Sequence, residues 1–127
     1  MTVRLISVVD DDASVRSATV DLLTSLSFAC EAFASAEAYL QSDVANRTLC
    51  LILDVRMPGL TGLELQRLLT DQGRIVPIIF ITAFPDERTR RQAIEGGAIC
   101  YLPKPYEVEE LLDGVCLALE GSRPTKH

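Results

Sequence analysis

The sequence predicts one doubly wound α/β domain in which five parallel strands alternate with five helices. Five short apolar runs rich in Val, Ile and Leu recur along the 127 residues. Continuous apolar runs bounded by turn residues suit strands buried on both faces. Between them lie stretches with apolar residues three and four apart, which is helix spacing. Alternation of this kind gives a parallel sheet, with right-handed crossovers that lay helices on both faces. The third run, residues 49–54, ends on Asp54 and meets Met57-Pro58-Gly59 at once. In open α/β sheets ligands gather beyond the carboxyl ends of the strands. Asp54 is therefore a candidate site residue, although Asp is also common in plain turns.

The first strand is predicted over Leu5–Val9 and runs into Asp10-Asp11-Asp12. A helix follows over residues 13–27, with Val15, Ala18, Leu22, Leu23 and Leu26 on one side and Asp12 or Ser14 as its cap. Residues 29–34 make a short second strand. A short second helix starts at Ser35, carries Ala38, Tyr39 and Leu40, and ends near Asp43. After the Asp54 strand, residues 61–72 form a helix that buries Leu63, Leu65, Leu68 and Leu69 and stops at Gly73. Residues 77–83 are the fourth strand, and residues 86–95 a charged helix closed by Gly96-Gly97. Residues 99–102 are the fifth strand, ending at Pro103-Lys104-Pro105, and residues 108–119 the last helix. At this size the natural strand order is the flavodoxin-like 2-1-3-4-5.

One domain over residues 1–120 is expected, with residues 121–127 a tail or the start of a linker. Nearly half the residues are apolar, so a core can form without disulfides or structural metal. The net charge of −6 argues against direct nucleic-acid binding. No stretch is long and apolar enough for a membrane span, and the start is too short for a signal peptide. Cys30, Cys50, Cys100 and Cys116 lack metal-ligand spacing and read as small buried hydrophobes in a reducing cytoplasm.

In the 2-1-3-4-5 order the ends of strands one and three are neighbours, which brings Asp10 and Asp11 beside Asp54. Crowded carboxylates raise one another's pKa unless a cation lies between them. Hard oxygen ligands with open positions suit Mg2+, which also takes phosphate oxygens. The alternative for the acidic triplet is a helix N-terminus with favourable dipole charge, and Asp12 fits that role. Thr82 and Lys104 end the fourth and fifth strands at the same edge. A hydroxyl and an ammonium there suit an anion growing on Asp54.

These residues together resemble the receiver domain of two-component response regulators. The resemblance covers residues 3–119. It is carried by Val8-Val9-Asp10-Asp11, by Asp54 with Met57-Pro58-Gly59 and Gly62, by Thr82-Ala83, and by Tyr101 with Lys104-Pro105. The details are most similar to receivers of the FixJ/NarL type, with their flavodoxin-like (CheY-like) fold. The resemblance implies that Asp54 is the phosphoacceptor. It implies that Asp11, Asp54 and the backbone carbonyl of Arg56 contact Mg2+ directly, and Asp10 through water. Lys104 would neutralise the phosphoryl group, Thr82 and Tyr101 would form the switch, and the Lys104–Pro105 peptide would be cis. A sensor histidine kinase is the expected partner, and a DNA-binding transcriptional regulator or a stand-alone receiver the expected output. A phosphorylation-dependent homodimer is expected through the fourth helix and fifth strand, since Arg88, Arg90 and Arg91 on the fourth helix and Glu107, Glu109, Glu110 and Asp113 at the fifth put opposite charges on neighbouring elements. The resemblance also implies that Arg56 and Phe84, two residues after Asp54 and Thr82, would flank the path of an attacking water.

Catalysis beyond the domain's own phosphorylation and dephosphorylation is not expected. The lone histidine, His127, lies in the tail and is no phosphoryl donor, and there is no Gly-x-x-x-x-Gly-Lys loop for ATP. An aspartyl-nucleophile phosphatase would want a second Asp where Arg56 stands. A flavin-binding module would want Ser, Thr or Gly in place of Asp10-Asp11-Asp12. A receiver used only for docking would not need the complete acidic site.

Overall fold

The computed structural model describes residues 5–121. The strands are β1 (Leu5–Val9), β2 (Ala29–Phe33), β3 (Thr48–Asp54), β4 (Ile78–Thr82) and β5 (Cys100–Pro103). The helices are α1 (Ala13–Ser25), α2 (Ala36–Gln41), α3 (Gly62–Asp71), α4 (Glu87–Glu95) and α5 (Val108–Gly121). All strand pairs are parallel, in the order β2-β1-β3-β4-β5.

The sheet separates two apolar layers by simple alternation. Ile6, Val8, Cys50, Ile52, Ile79 and Ile81 point towards α1 and α5, against Leu23, Leu111, Val115 and Ala118. Val9, Leu51, Leu53, Ile78 and Phe80 point the other way, against Tyr39, Leu65, Leu69 and Ala93 of α2, α3 and α4. Each fully buried Leu or Ile contributes about 1.5–3 kcal/mol, so the sheet centre fixes the register. A one-residue slip would exchange the two layers.

Local signals set the helix ends. Asp12 caps α1 by accepting from the Ser14 and Val15 N–H groups at 3.0 and 3.2 Å. Thr61 and Glu64 form a reciprocal capping box on α3. Asp86 caps α4 through the Thr89 N–H at 2.8 Å.

The expected helix faces need correction. Helix α1 stops two residues early because Ser27 takes a left-handed φ of +72°. Leu26 is thereby left exposed, and Ala18 is exposed as well, while Thr19 takes the buried place. On α3, Leu63 and Leu68 are only half-buried, and Gln66 is buried instead. The second helix ends at Gln41, and a separate 3-10 turn covers Asp43–Asn46. The cysteines are free, but only Cys50 is fully buried, and Cys116 is exposed on α5. The last helix runs on to Gly121, where the tail is expected to begin, and the rest of that tail, with His127, lies outside the described residues.

Candidate functional site

Asp10 follows β1, Asp54 ends β3, and the two strands are paired directly, Val9 opposite Leu53. That pairing brings the carboxylates of Asp10, Asp11 and Asp54 together, with one oxygen of each within 4.8 Å of the others. Asp10 is wholly buried and Asp54 nearly so, at 4% exposure, while Asp11 is exposed. The loop after Asp54 must turn tightly. A Cβ on Gly62 would run into the Asp54 carbonyl, so glycine is required where α3 begins.

Lys104 crosses to both buried acids. Its Nζ donates to Asp10 Oδ1 at 3.1 Å, and lies 3.0 Å from Asp10 Oδ2 and 3.3 Å from Asp54 Oδ2. Asp10 Oδ1 also accepts the Asp12 N–H at 2.9 Å, and Asp54 Oδ1 accepts the Arg56 N–H at 3.3 Å. The approach to Asp10 Oδ2 is ionic but off-line for hydrogen bonding, so this buried oxygen has no hydrogen-bond partner.

The electrostatics follow. Burial first, and then the charge of Asp10, push the Asp54 carboxyl up to about 7 despite Lys104. Burial alone would lower the Lys104 pKa, but the hydrogen bond and charge of Asp10, with the charge of Asp54, outweigh it and hold the ammonium charged. One cation does not neutralise three carboxylates. An orphaned buried oxygen and a carboxyl pushed towards neutrality are what a site made for a further hard cation shows without it.

The remaining expected residues surround the same edge. Thr82 ends β4 fully buried, and its Oγ1 accepts the Phe84 N–H at 3.1 Å. The Lys104 N–H donates to the Thr82 carbonyl at 2.8 Å. The Lys104–Pro105 peptide is cis. Asp11, Asp12, Asp54, Arg56, Ala83, Phe84 and Lys104 line a cleft of about 340 Å3. At its mouth the Arg56 guanidinium lies 5.4 Å from the centre of the Phe84 ring, a cation–π contact. Tyr101 is not at the carboxylates. It packs half-buried against the α2–α4 layer, and its hydroxyl is buried without a hydrogen-bond partner.

Sequence reasoning missed several supports. Arg16 Nη1 donates to the Asp10 carbonyl at 2.6 Å, and its place one turn into α1 was the available signal. Glu37 Oε2 accepts the Leu60 N–H at 2.9 Å and ties the loop after Asp54 to α2. The Tyr106 hydroxyl bonds that of Thr19 at 2.7 Å. Nothing local in the sequence announces the last two.

Known proteins agree with this architecture. The model of the response regulator receiver domain matches residues 6–115. The transcriptional regulatory protein TdiR of Thauera aromatica is 43% identical over 116 residues, covering 91% of this chain and 51% of the relative. Nodulation protein W of Bradyrhizobium diazoefficiens is 43% identical over 122 residues, covering 96% and 54%. The chain thus spans about half the length of these curated relatives. Among solved structures, the response regulator StyR superposes with a TM-score of 0.84 at 41% identity, covering 94% of this chain and 60% of that one. FixJ-N superposes at 0.85 with 31% identity, covering 98% and 100%. With five parallel strands in the shared order, a buried acid at the end of β3 and a family match over most of its length, the chain belongs to the response regulator receiver domain family.

Proposed function

We propose that Asp54 accepts a phosphoryl group from the phosphohistidine of a sensor histidine kinase. The observation that carries this reading is a nearly buried carboxylate facing Lys104 Nζ at 3.3 Å, within a cluster of three acids. The cluster fits Mg2+. Asp11, Asp54 and the Arg56 carbonyl would hold it directly and Asp10 through water, and when bound it supplies positive charge opposite the phosphoryl oxygens.

The chain's own residues do the rest. A carboxylate oxygen of Asp54 attacks phosphorus, the P–N bond breaks, and the imidazole leaves with the electron pair. Lys104 is already charged and held at Asp54, so its ammonium offsets the growing negative charge without rearranging. The Thr82 hydroxyl, at the end of the adjacent strand, reports the new group to β5 and Tyr101. Slow hydrolysis by water then returns the carboxylate.

Relatives named as transcriptional regulators support a DNA-binding output in a longer protein, with the receiver running to the end of α5 at Gly121. A cytoplasmic setting accompanies that role. The net charge of −6 leaves DNA contact to the output rather than this domain.

Acetyl phosphate with Mg2+ is expected to add one phosphoryl mass to the wild type and none to Asp54→Asn. Labelling that persists in the mutant would refute the assignment. The activated form is expected to dimerise through α4 and β5. There Arg90 is held by Glu87 at 2.9 Å, whereas Arg91 lies 4.0 Å from it and remains largely exposed. Sedimentation with beryllofluoride should show a dimer that Arg91→Glu weakens; an activated monomer would argue against this face.

A further inference from the structure

Lys104 is fastened on two sides, and only one fastening belongs to the sheet. On the near side its backbone N–H donates to the Thr82 carbonyl at 2.8 Å, extending the β4–β5 pairing. On the far side, two residues on, the Tyr106 hydroxyl bonds the Thr19 hydroxyl at 2.7 Å, in the middle of α1. Thr19 is fully buried, one turn before the core residue Leu23. A hydroxyl on the buried side of a helix needs a partner, and Tyr106 is that partner.

The surroundings give the bond a purpose. Lys104, Pro105 and Tyr106 meet Val15 and Ala18 around a cleft of about 190 Å3. The Lys104 stem therefore has space beside it, away from the carboxylates, into which a loosened loop could relax. Asp10 and Asp11 lead into helix α1 through its cap Asp12, and Arg16 ties the first turn to the Asp10 carbonyl at 2.6 Å. The helix that receives Tyr106 is thus the one that directly follows the segment holding two of the clustered acids.

We propose that Tyr106 and Thr19 form a positioning clamp that holds the Lys104 ammonium against Asp10 and Asp54. Neither residue touches the reacting atoms. They act through the loop that carries the lysine. A lysine stem has four rotatable bonds, and transfer to Asp54 rewards a fixed geometry. The effect on phosphorylation rests on the function proposed above, but the effect on the position of Lys104 does not.

The sequence contains two lysines, Lys104 and Lys126. Acylation by a succinimidyl ester, followed residue by residue by mass spectrometry, therefore reads Lys104 against an internal reference. Alkylation of the buried Cys50 reports global opening. Tyr106→Phe and Thr19→Val should each raise Lys104 acylation relative to Lys126 by about twofold to tenfold, the loss of one hydrogen bond. Both should leave Cys50 unreactive, slow the phosphorylation of Asp54 by acetyl phosphate several-fold, and leave Mg2+ affinity unchanged. Thr19→Ser keeps the hydroxyl and should restore the Lys104 ratio of the wild type. A Lys104 ratio unchanged in both variants, or Cys50 reactivity rising in step with it, would overturn the clamp. A wild type that takes no phosphoryl group would overturn the phosphoacceptor reading instead, and the acylation ratio would still decide the clamp.

Discussion

Asp10, Asp54 and Lys104 each make at least two polar contacts at the end of the sheet, whereas α4 buries only Ala93. A buried amide fastens α4 further, with Gln66 Nε2 of α3 donating to the Ala93 carbonyl at 3.0 Å. Its outer face is Arg and Glu, and surface pairs there add little. The acidic end is densely bonded and electrostatically strained; the α4 face is lightly held. A chemical site gains from preorganisation, while an element that must move is drawn from the least anchored part of a fold. Tyr101 sits between the two, its ring in the α4-side layer and its hydroxyl unpaired.

The strain at the acidic end should give the largest effect. The folded pKa of Asp54 is raised, so its contribution to stability is full below about pH 4, the unfolded value, and is lost as pH rises through about 7. In EDTA the wild type should lose stability between about pH 4 and 7 from this group, because the unfolded chain releases the proton that the folded site retains. Asp54→Asn should remove that slope and be the more stable protein at pH 8. Urea unfolding at several pH values measures both. Equal slopes would mean that the acids are not strained.

The lightly held region gives a smaller and more local effect. Gln66→Ala should weaken α4 by about 1 kcal/mol, the usual value of one buried hydrogen bond. Hydrogen exchange should show faster amides over Glu87–Glu95 and unchanged amides in β1 and β3. Gly96→Ala should act similarly, because a Cβ there would sit 2.8 Å from Gln66 Cδ and push the amide aside. Protection lost evenly over the whole molecule would erase the contrast.

The smallest effect concerns the mouth of the site. Phe84 is 66% exposed and is steadied by Arg56. An exposed cation–π contact is worth about 0.5–1 kcal/mol. Phe84→Ala should therefore shorten the life of the phosphorylated form by only about twofold to fivefold. A half-life that is equal or longer would show that the pair shields nothing.

Much of this was legible in the sequence because the signals are local or periodic. All five strands and every helix of three turns or more follow from apolar runs, caps and glycines, and the strand order from the flavodoxin-like arrangement natural at this size. The acids and Lys104 were legible because each ends a strand. The faces of α1 and α3 were not. Leu26 falls on the helical stripe, but Ser27 turns the chain out of the helix, and Thr19 and Gln66 are buried because distant partners satisfy them. Periodicity counts apolar residues and cannot see a hydroxyl or an amide whose partner lies 87 or 27 residues away.

By itself, then, the sequence determined the five strands and the helices between them, since continuous apolar runs must be buried on both faces, and the flavodoxin-like order then set Asp10 and Asp11 beside Asp54. Only the tertiary structure decided how those acids are balanced. How far the Asp54 carboxyl is raised depends on burial and on ångström distances to Asp10 and Lys104. Those distances are set by contacts from α1, β4 and the loop before α5, which converge on one point only when the chain is folded.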